Sequence, residues 1–281
     1  MTQSMNLSKI TVSSLIYYPI KACRGVEVDS SCVSRMGLEH DRRMMVVTSE
    51  GEFLTQREVP RLALVTPRFR EGVLELSAPN YEAIQIGVQT SGAPWLVNIW
   101  KSKGVHAIDQ GEDAANWFSD WLGINVRLVH IADGYKRLVN ESYAINENDH
   151  TGFADGYPIL LTSEEGLQDL NTHLKSPVPM NRFRPNLVVK GCKPFEEDTW
   201  NRIRIGDVEL AVVKPCARCV VTTIDKESLE QSKEPLKTLG KYRKQALGAI
   251  FGQNVIPLNG GSIQLGMTVE VLSKISHGAS E

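Results

Sequence analysis

The sequence has no apolar run approaching the ~20 residues that a membrane-spanning helix needs. Its first residues, MTQSMNLSKI, lack the apolar centre of an export signal. The expected compartment is therefore the cytoplasm, with no membrane partner. Positive charge is not in excess either. The 31 Lys and Arg stand against 33 Asp and Glu, which argues against a nucleic-acid partner and requires any cationic site to be local. Six histidines form no closely spaced pair, and five cysteines are widely scattered. A structural zinc ion wants four ligands, usually in two pairs, and a disulfide framework wants an even set in an exported chain. Neither pattern is spelled out, and no internal repeat or low-complexity segment is visible. At 281 residues and 42% hydrophobic, the chain can bury a sizeable core and is expected to form two modest domains.

Most apolar segments of the first half are short and strand-like: ITVSSLIYYPI, RMMVVTSEGEFLTQ, LALVTPRF and GVLELSAP. In the second of these, Ser49-Glu50-Gly51 suggests a hairpin turn. In EDAANWFSDWLG, residues Trp117, Phe118, Trp121 and Leu122 make a helical stripe that Gly123 ends. From Ala132 to Gly156 runs a polar stretch longer than most connections, which reads as a lid or a domain junction. TSEEGLQDLNTHL reads as a helix capped by Thr162 with Glu165 as its capping-box partner, and His173 on it reads as surface or packing. RFRPNLVV, NRIRIGDVELAVV and CVVTTID read as strands, KEPLKTLGKYRKQ as a helix, and SIQLGMTVEVL as strand again. The fold class is mainly β (α+β), with a β-barrel or sandwich over residues 7–130 and a second β-structure with peripheral helices over 131–275.

Two stretches carry chemistry. KPCARCVVTTID, residues 214–225, holds Cys216 and Cys219 three apart, with Lys214 and Arg218 to favour a thiolate and Thr222 and Thr223 as nearby hydroxyls. A thioredoxin-like dithiol wants its first cysteine at a helix N-terminus, and strand-like sequence surrounds this pair. One metal-bound thiolate fits better than two, although spacing alone leaves open which cysteine it is. Two buried thiols acting as small hydrophobes are the plainer alternative. In NRFRPNLVV an extended register puts Arg182, Arg184, Asn186 and Val188 on one face and Phe183, Leu187 and Val189 on the other. Planar guanidinium forks suit phosphate or carboxylate. A solvent-facing edge strand with salt bridges would carry the same residues. Lys21 and Arg24 in YYPIKACRG, with Asp41-Arg42-Arg43, add separated cations that a compact anionic ligand would explain.

Together YPIKACRG, HDRRMMVV, FADGYPILL, NRFRPNLVV, KPCARCVVTTID and the final FGQNV and GSIQLGMTVEVL resemble the MOSC family, from about Leu7 to Leu272. The resemblance lies in the branch with an N-terminal MOSC-associated β-barrel. It implies a molybdenum cofactor, a pyranopterin (molybdopterin) with a terminal phosphate, whose metal takes the second cysteine of CxRC, here Cys219. It likewise assigns Lys21, Arg42, Arg184 and Asn186 to the pterin and phosphate, with Arg218 and the backbone amides of Gly156 and Tyr157 beside them. The wider family adds an association with pyridoxal phosphate. The implied activity is reduction of N-hydroxylated small molecules: amidoximes, hydroxylamines and N-hydroxylated base analogues. Related chains often carry a C-terminal ferredoxin domain, and no C-x₄-C-x₂-C run follows here. The expected electron donor is thus a separate ferredoxin or a cytochrome/flavoprotein reductase. The alternative is a cofactor carrier or sulfur-transfer protein using Cys219. Ala22 and Ala217 replace serines of the animal branch, Arg182 replaces a neutral residue, and Asp149, His150 and Asp155 are proton-donor candidates by location.

Overall fold

The computed structural model describes residues 9–70 and 72–275. The leader reading, the domain start at 7 and the SHGASE tail lie outside the described residues. The architecture is mainly β with three α-helices. The largest sheet has nine strands. Along its main path run Val26–Val28, Thr11–Tyr17, Leu187–Lys190, Ile159–Ser163, Gly248–Pro257, Val208–Ala217, Trp200–Ile205 and Val269–Lys274, with Lys244–Gln245 pairing to Gly248–Pro257. The Ile159–Ser163 strand is buried throughout, as a central strand covered on both faces must be. It runs parallel to Leu187–Lys190, and Thr11–Tyr17 runs antiparallel to that strand on its other side. The first strand of the chain is therefore an interior strand of the second half's sheet.

Leu15, Leu161, Leu187, Trp200, Ile203, Leu210 and Val255 form one apolar core. A second gathers Met44, Val46, Leu62, Leu74 and Leu128 under α1 (Glu112–Leu122), which buries Trp117, Phe118, Trp121 and Leu122. Gly123 ends α1 at φ +72°, as its sequence position predicts. The Ser49–Gly51 turn closes as expected, with Thr48 N–H donating to the Glu52 carbonyl.

Other expectations need correction. α2 (Glu164–Thr172) is capped by Ser163, whose Oγ accepts from Gly166 N–H, while Glu165 turns away to accept from Gly191 N–H. The NRFRPN segment is not a strand. Met180–Arg182 is a 3-10 turn, Arg184 has φ +56°, and Pro185 follows, so regular strand begins only at Leu187. Its strand is central, which removes the edge-strand reading. CVVTTID is not a strand either: Val220–Thr223 is a 3-10 turn that Cys219 introduces. LALVTPRF divides into a 3-10 turn over Pro60–Leu64 and a strand from Thr66. α3 (Leu236–Tyr242) is shorter than its sequence pattern. The long polar stretch is an anchored arm. Arg137–Leu138 pairs with His150–Thr151, Arg137 donates to the Gly152 and Ala154 carbonyls, and Asp149 accepts from Ile145 and Asn146 N–H groups.

Candidate functional site

Both halves of the chain contribute to one cleft. Lys21, Arg42, Gly156 and Tyr157 line it together with Arg184, Asn186, Arg218 and Cys219. The structure thus gathers in one place residues separated by up to 198 positions in sequence (219 − 21).

Cys219 follows the long Val208–Ala217 strand and is half-buried at the start of the 3-10 turn. The turn behind it is held at every carbonyl from 219 to 223. Thr222 Oγ1 donates to Cys219 O and Thr223 Oγ1 to Val220 O. Lys226 Nζ donates to Val221 O, Arg182 Nε to Thr222 O, and Arg182 Nη2 to Thr223 O. The two threonine hydroxyls are therefore spent on the turn itself, and Arg182 braces the loop through these bonds and Asp225 at 2.9 Å. Lys226 is buried, also donates to Gln56 Oε1, and is lowered to about 7 by desolvation and by the nearby arginines 184, 182 and 218.

Arg218 does not act on the thiol of Cys219. Its Nη1 lies 2.9 Å from Cys216 Sγ and its Nη2 donates to Phe183 O at 2.7 Å. The Cys219 thiol acts on two other cations, raising the Arg57 guanidinium and partly offsetting the lowering of Lys226. Lys214 is absent from the cleft lining and lies over the rings of Tyr143 at 4.3 Å and Tyr157 at 5.8 Å. Arg57 and its neighbours Thr55, Gln56 and Trp100, all cleft-lining, escape sequence reasoning. They come from the other half, and the one local signal is a tryptophan at a hairpin turn.

The cationic wall is built around Asp41 and Asn186. Asn186 is 1% exposed and uses its full capacity. Nδ2 donates to Ile16 O at 3.1 Å and Asp41 Oδ1 at 2.8 Å, while Oδ1 accepts from Arg42 at 3.0 Å and Leu160 N–H at 3.1 Å. Its contribution is to fix the guanidinium of Arg42, which also bonds Asp41 Oδ2 at 2.7 Å. Burial opposes the charge on Arg42, and Asp41 restores it. The chain beside Arg42 approaches closely: a Cβ on Gly152 would sit 2.6 Å from Arg42 O, so only glycine fits there. Tyr18 lies between Arg42 at 4.4 Å and Arg184 at 4.2 Å.

Lys21 is buried, donates to Phe153 O at 3.1 Å and pairs with Asp155. Desolvation pushes the Asp155 carboxyl up. The Lys21 ammonium and the Trp100 indole N–H more than reverse this and hold it well below the usual carboxylate range, although much of the side chain still meets solvent at the mouth. Of the three proton-donor candidates, Asp155 is in the cleft but ionised, and Asp149 and His150 do not line it.

The donor set fits an anionic ligand with a soft metal. Arg184 Nη2 and Arg218 Nε are buried with no hydrogen-bond partner among the described residues. Such orphans are rare and call for an acceptor, and a phosphate or pterin oxygen supplies one. A thiol sulfur stands in the same cleft.

Residues 9–125 match the MOSC N-terminal beta barrel domain, and residues 148–270 match the MOSC domain. The mitochondrial amidoxime-reducing component 1 of Mus musculus is 36% identical over 94% of this chain and 83% of its own length. The mitochondrial amidoxime reducing component 2 of Rattus norvegicus is 39% identical over 83% of this chain and 72% of its own. The human component 1 is 34% identical over 94% of this chain and 83% of its own length. These names carry no pyridoxal phosphate and place those proteins in the mitochondrion. The chain belongs to the two-domain MOSC family, with the mitochondrial amidoxime-reducing components among its relatives.

Proposed function

We propose that the protein is a molybdenum-cofactor-dependent oxidoreductase that reduces N-hydroxylated small molecules, with electrons delivered by a separate ferredoxin or cytochrome/flavoprotein reductase. The observation that carries this reading is the convergence of the Cys219 thiol with the unpartnered Arg184 Nη2 and Arg218 Nε in one interdomain cleft. The names of the relatives support the reaction class.

When bound, the cofactor supplies the two-electron change that lets an N-bound oxygen leave as water. Cys219 would complete the metal's sulfur ligands, and the clamped turn behind it fixes where that sulfur stands. Arg184 and Arg218 would donate to the anionic pterin and phosphate, with Arg42 held ready by Asp41 and Asn186. Asp155, kept ionised between Lys21 Nζ and Trp100 Nε1, holds no proton to give near neutral pH. The protons consumed would enter from the solvent side of the cleft.

The test is molybdenum analysis and oxidised-pterin assay on one purified sample, paired with reduction of an amidoxime by a chemical donor. Cys219→Ala should abolish both metal retention and reduction. Intact metal and activity in that variant would overturn the reading. A second reading, a cofactor carrier or sulfur-transfer protein, draws on the placement of two thiols, Cys216 and Cys219, at one cleft. It predicts that molybdenum dissociates during purification, while the Cys219 thiolate takes the outer sulfur of an added donor persulfide and the donor leaves as its thiol.

A further inference from the structure

Trp100 occupies a backbone position suited to another residue type. It is the first of two residues joining the Trp95–Ile99 strand to Ser102–Asp109, with Ile99 paired to Ser102, and its φ is +52°. Two-residue hairpin turns place glycine or asparagine in such a conformation; a bulky aromatic there is strained. Strain of this kind persists where the surroundings hold it, and it gathers at ligand sites.

Here the surroundings do hold it, and none of them is a core contact. The indole N–H donates to Asp155 Oδ1 at 3.0 Å. Phe53 meets the ring edge-on at 4.7 Å, and Lys21 Nζ lies 5.7 Å from its centroid. The Arg57 guanidinium stacks 4.9 Å from the ring and lines the same cleft as Cys219. Trp100 nevertheless remains 38% exposed and lines the cleft. A large flat side chain, strained and partly exposed, is thus anchored in the cleft that holds the Cys219 thiol.

We propose that Arg57 and Trp100 form the substrate-recognition wall of this cleft, selecting flat, conjugated N-hydroxy compounds such as aromatic amidoximes over aliphatic ones; this rests on the reductase reading above. Guanidinium and indole both present planar surfaces, and π-systems stack on each. An aromatic amidoxime is flat through ring and N-hydroxyamidine together, so it can lie along this wall with its N–OH directed toward Cys219. An aliphatic amidoxime offers no extended π face.

The experiment compares benzamidoxime with acetamidoxime on the cofactor-loaded protein, wild type against Trp100→Asn and Trp100→Phe. Two quantities are read: calorimetric Kd with the oxidised protein, where no turnover occurs, and kcat/KM with a chemical electron donor. Asparagine suits the positive φ, so Trp100→Asn should keep or raise thermal stability. The preference for benzamidoxime should nonetheless fall about tenfold in both Kd and kcat/KM ratios, and Trp100→Phe should restore most of it. An unchanged ratio in Trp100→Asn overturns the proposal. A wild type that reduces both compounds without Trp100-dependent discrimination also overturns it, leaving the reductase reading intact. Trp100-dependent binding of benzamidoxime without reduction of either compound supports the recognition wall and sinks the reductase reading.

Discussion

Arg182 Nε donates to the carbonyl of Thr222 at 2.9 Å, three residues beyond Cys219. The same guanidinium holds Thr223 O at 3.2 Å and the Asp225 carboxylate at 2.9 Å. Three acceptors on one short loop make Arg182 a brace for the cysteine at the same time as it lines the cleft. Arg182→Met should lower stability by about 2–4 kcal/mol, since buried carbonyls lose their donors. It should also reduce molybdenum retention with Arg42, Arg184 and Arg218 left in place. Urea denaturation and metal analysis on the same preparation check this. A variant of normal stability and metal content would show that the turn holds itself. Arg182→Lys should recover only part of the loss, because one ammonium lacks the planar fork that spans three acceptors.

What the sequence revealed about this region, and what it did not, follows from how local each signal is. α1 was legible because four apolar residues at helical spacing and a following glycine all lie within one short segment. The exact cap of α2 was not, because Thr162 and Ser163 are chemically alike and both are buried; tertiary partners separate them, Thr162 Oγ1 donating to Met180 Sδ and Ser163 Oγ donating to Glu197 while it caps the helix. Val220–Thr223 reads as strand from its β-branched residues, yet the distant Arg182 and the nearby Lys226 satisfy its carbonyls in a turn. Arg184 and Asn186 do come together in the cleft, but the alternation argument that placed them on one face fails at Pro185 and at the positive φ of Arg184. Arg57 and Trp100 were invisible because the fold, not the spacing, carries them to Cys219.

Cys216 and Cys219 separate cleanly by their partners. Cys216 Sγ accepts from Arg218 Nη1, while Cys219 is fixed through its carbonyl, which accepts from Thr222 Oγ1 at the start of the clamped turn. Cys216→Ala should therefore retain molybdenum and lose only about 1 kcal/mol of stability, the scale of one hydrogen bond. Metal content per chain is the measurement. Loss of molybdenum equal to that of Cys219→Ala would assign the metal to both sulfurs.

Asn186 offers a sharper stability test. Leucine has the same branching and number of heavy atoms, but Asn186→Leu removes a hydrogen bond from Ile16 O, from Leu160 N–H, from Arg42 and from Asp41 Oδ1, which keeps only the Tyr18 N–H, all in a buried site. Unmatched buried groups cost about 1–3 kcal/mol each where water cannot reach them, and partial relaxation should leave a loss of roughly 3–5 kcal/mol. The urea midpoint should fall with the slope unchanged. A shift no larger than that of a surface substitution would mean that the Arg42–Asp41 pair holds its place without the amide.

The pH dependence of stability should carry the mark of Glu197, which lies away from the cleft. The residue is 1% exposed, its Oε2 accepts from Ser163 Oγ at 2.8 Å, and its Oε1 has no hydrogen-bond partner among the described residues. Burial pushes its carboxyl from 4.5 to about 7; the Ser163 bond opposes this without cancelling it. The folded state therefore holds the proton more tightly than the unfolded chain does. The resulting stabilisation is complete below about pH 4.5 and is lost as pH rises toward 7, after which it no longer changes. The swing is on the order of 3 kcal/mol. Glu197→Gln keeps an acceptor for Ser163 and cannot ionise, so the variant should gain on the wild type steadily across that window. Urea unfolding at half-unit pH steps measures the difference, and parallel profiles for the two proteins would refute a buried proton at this carboxyl.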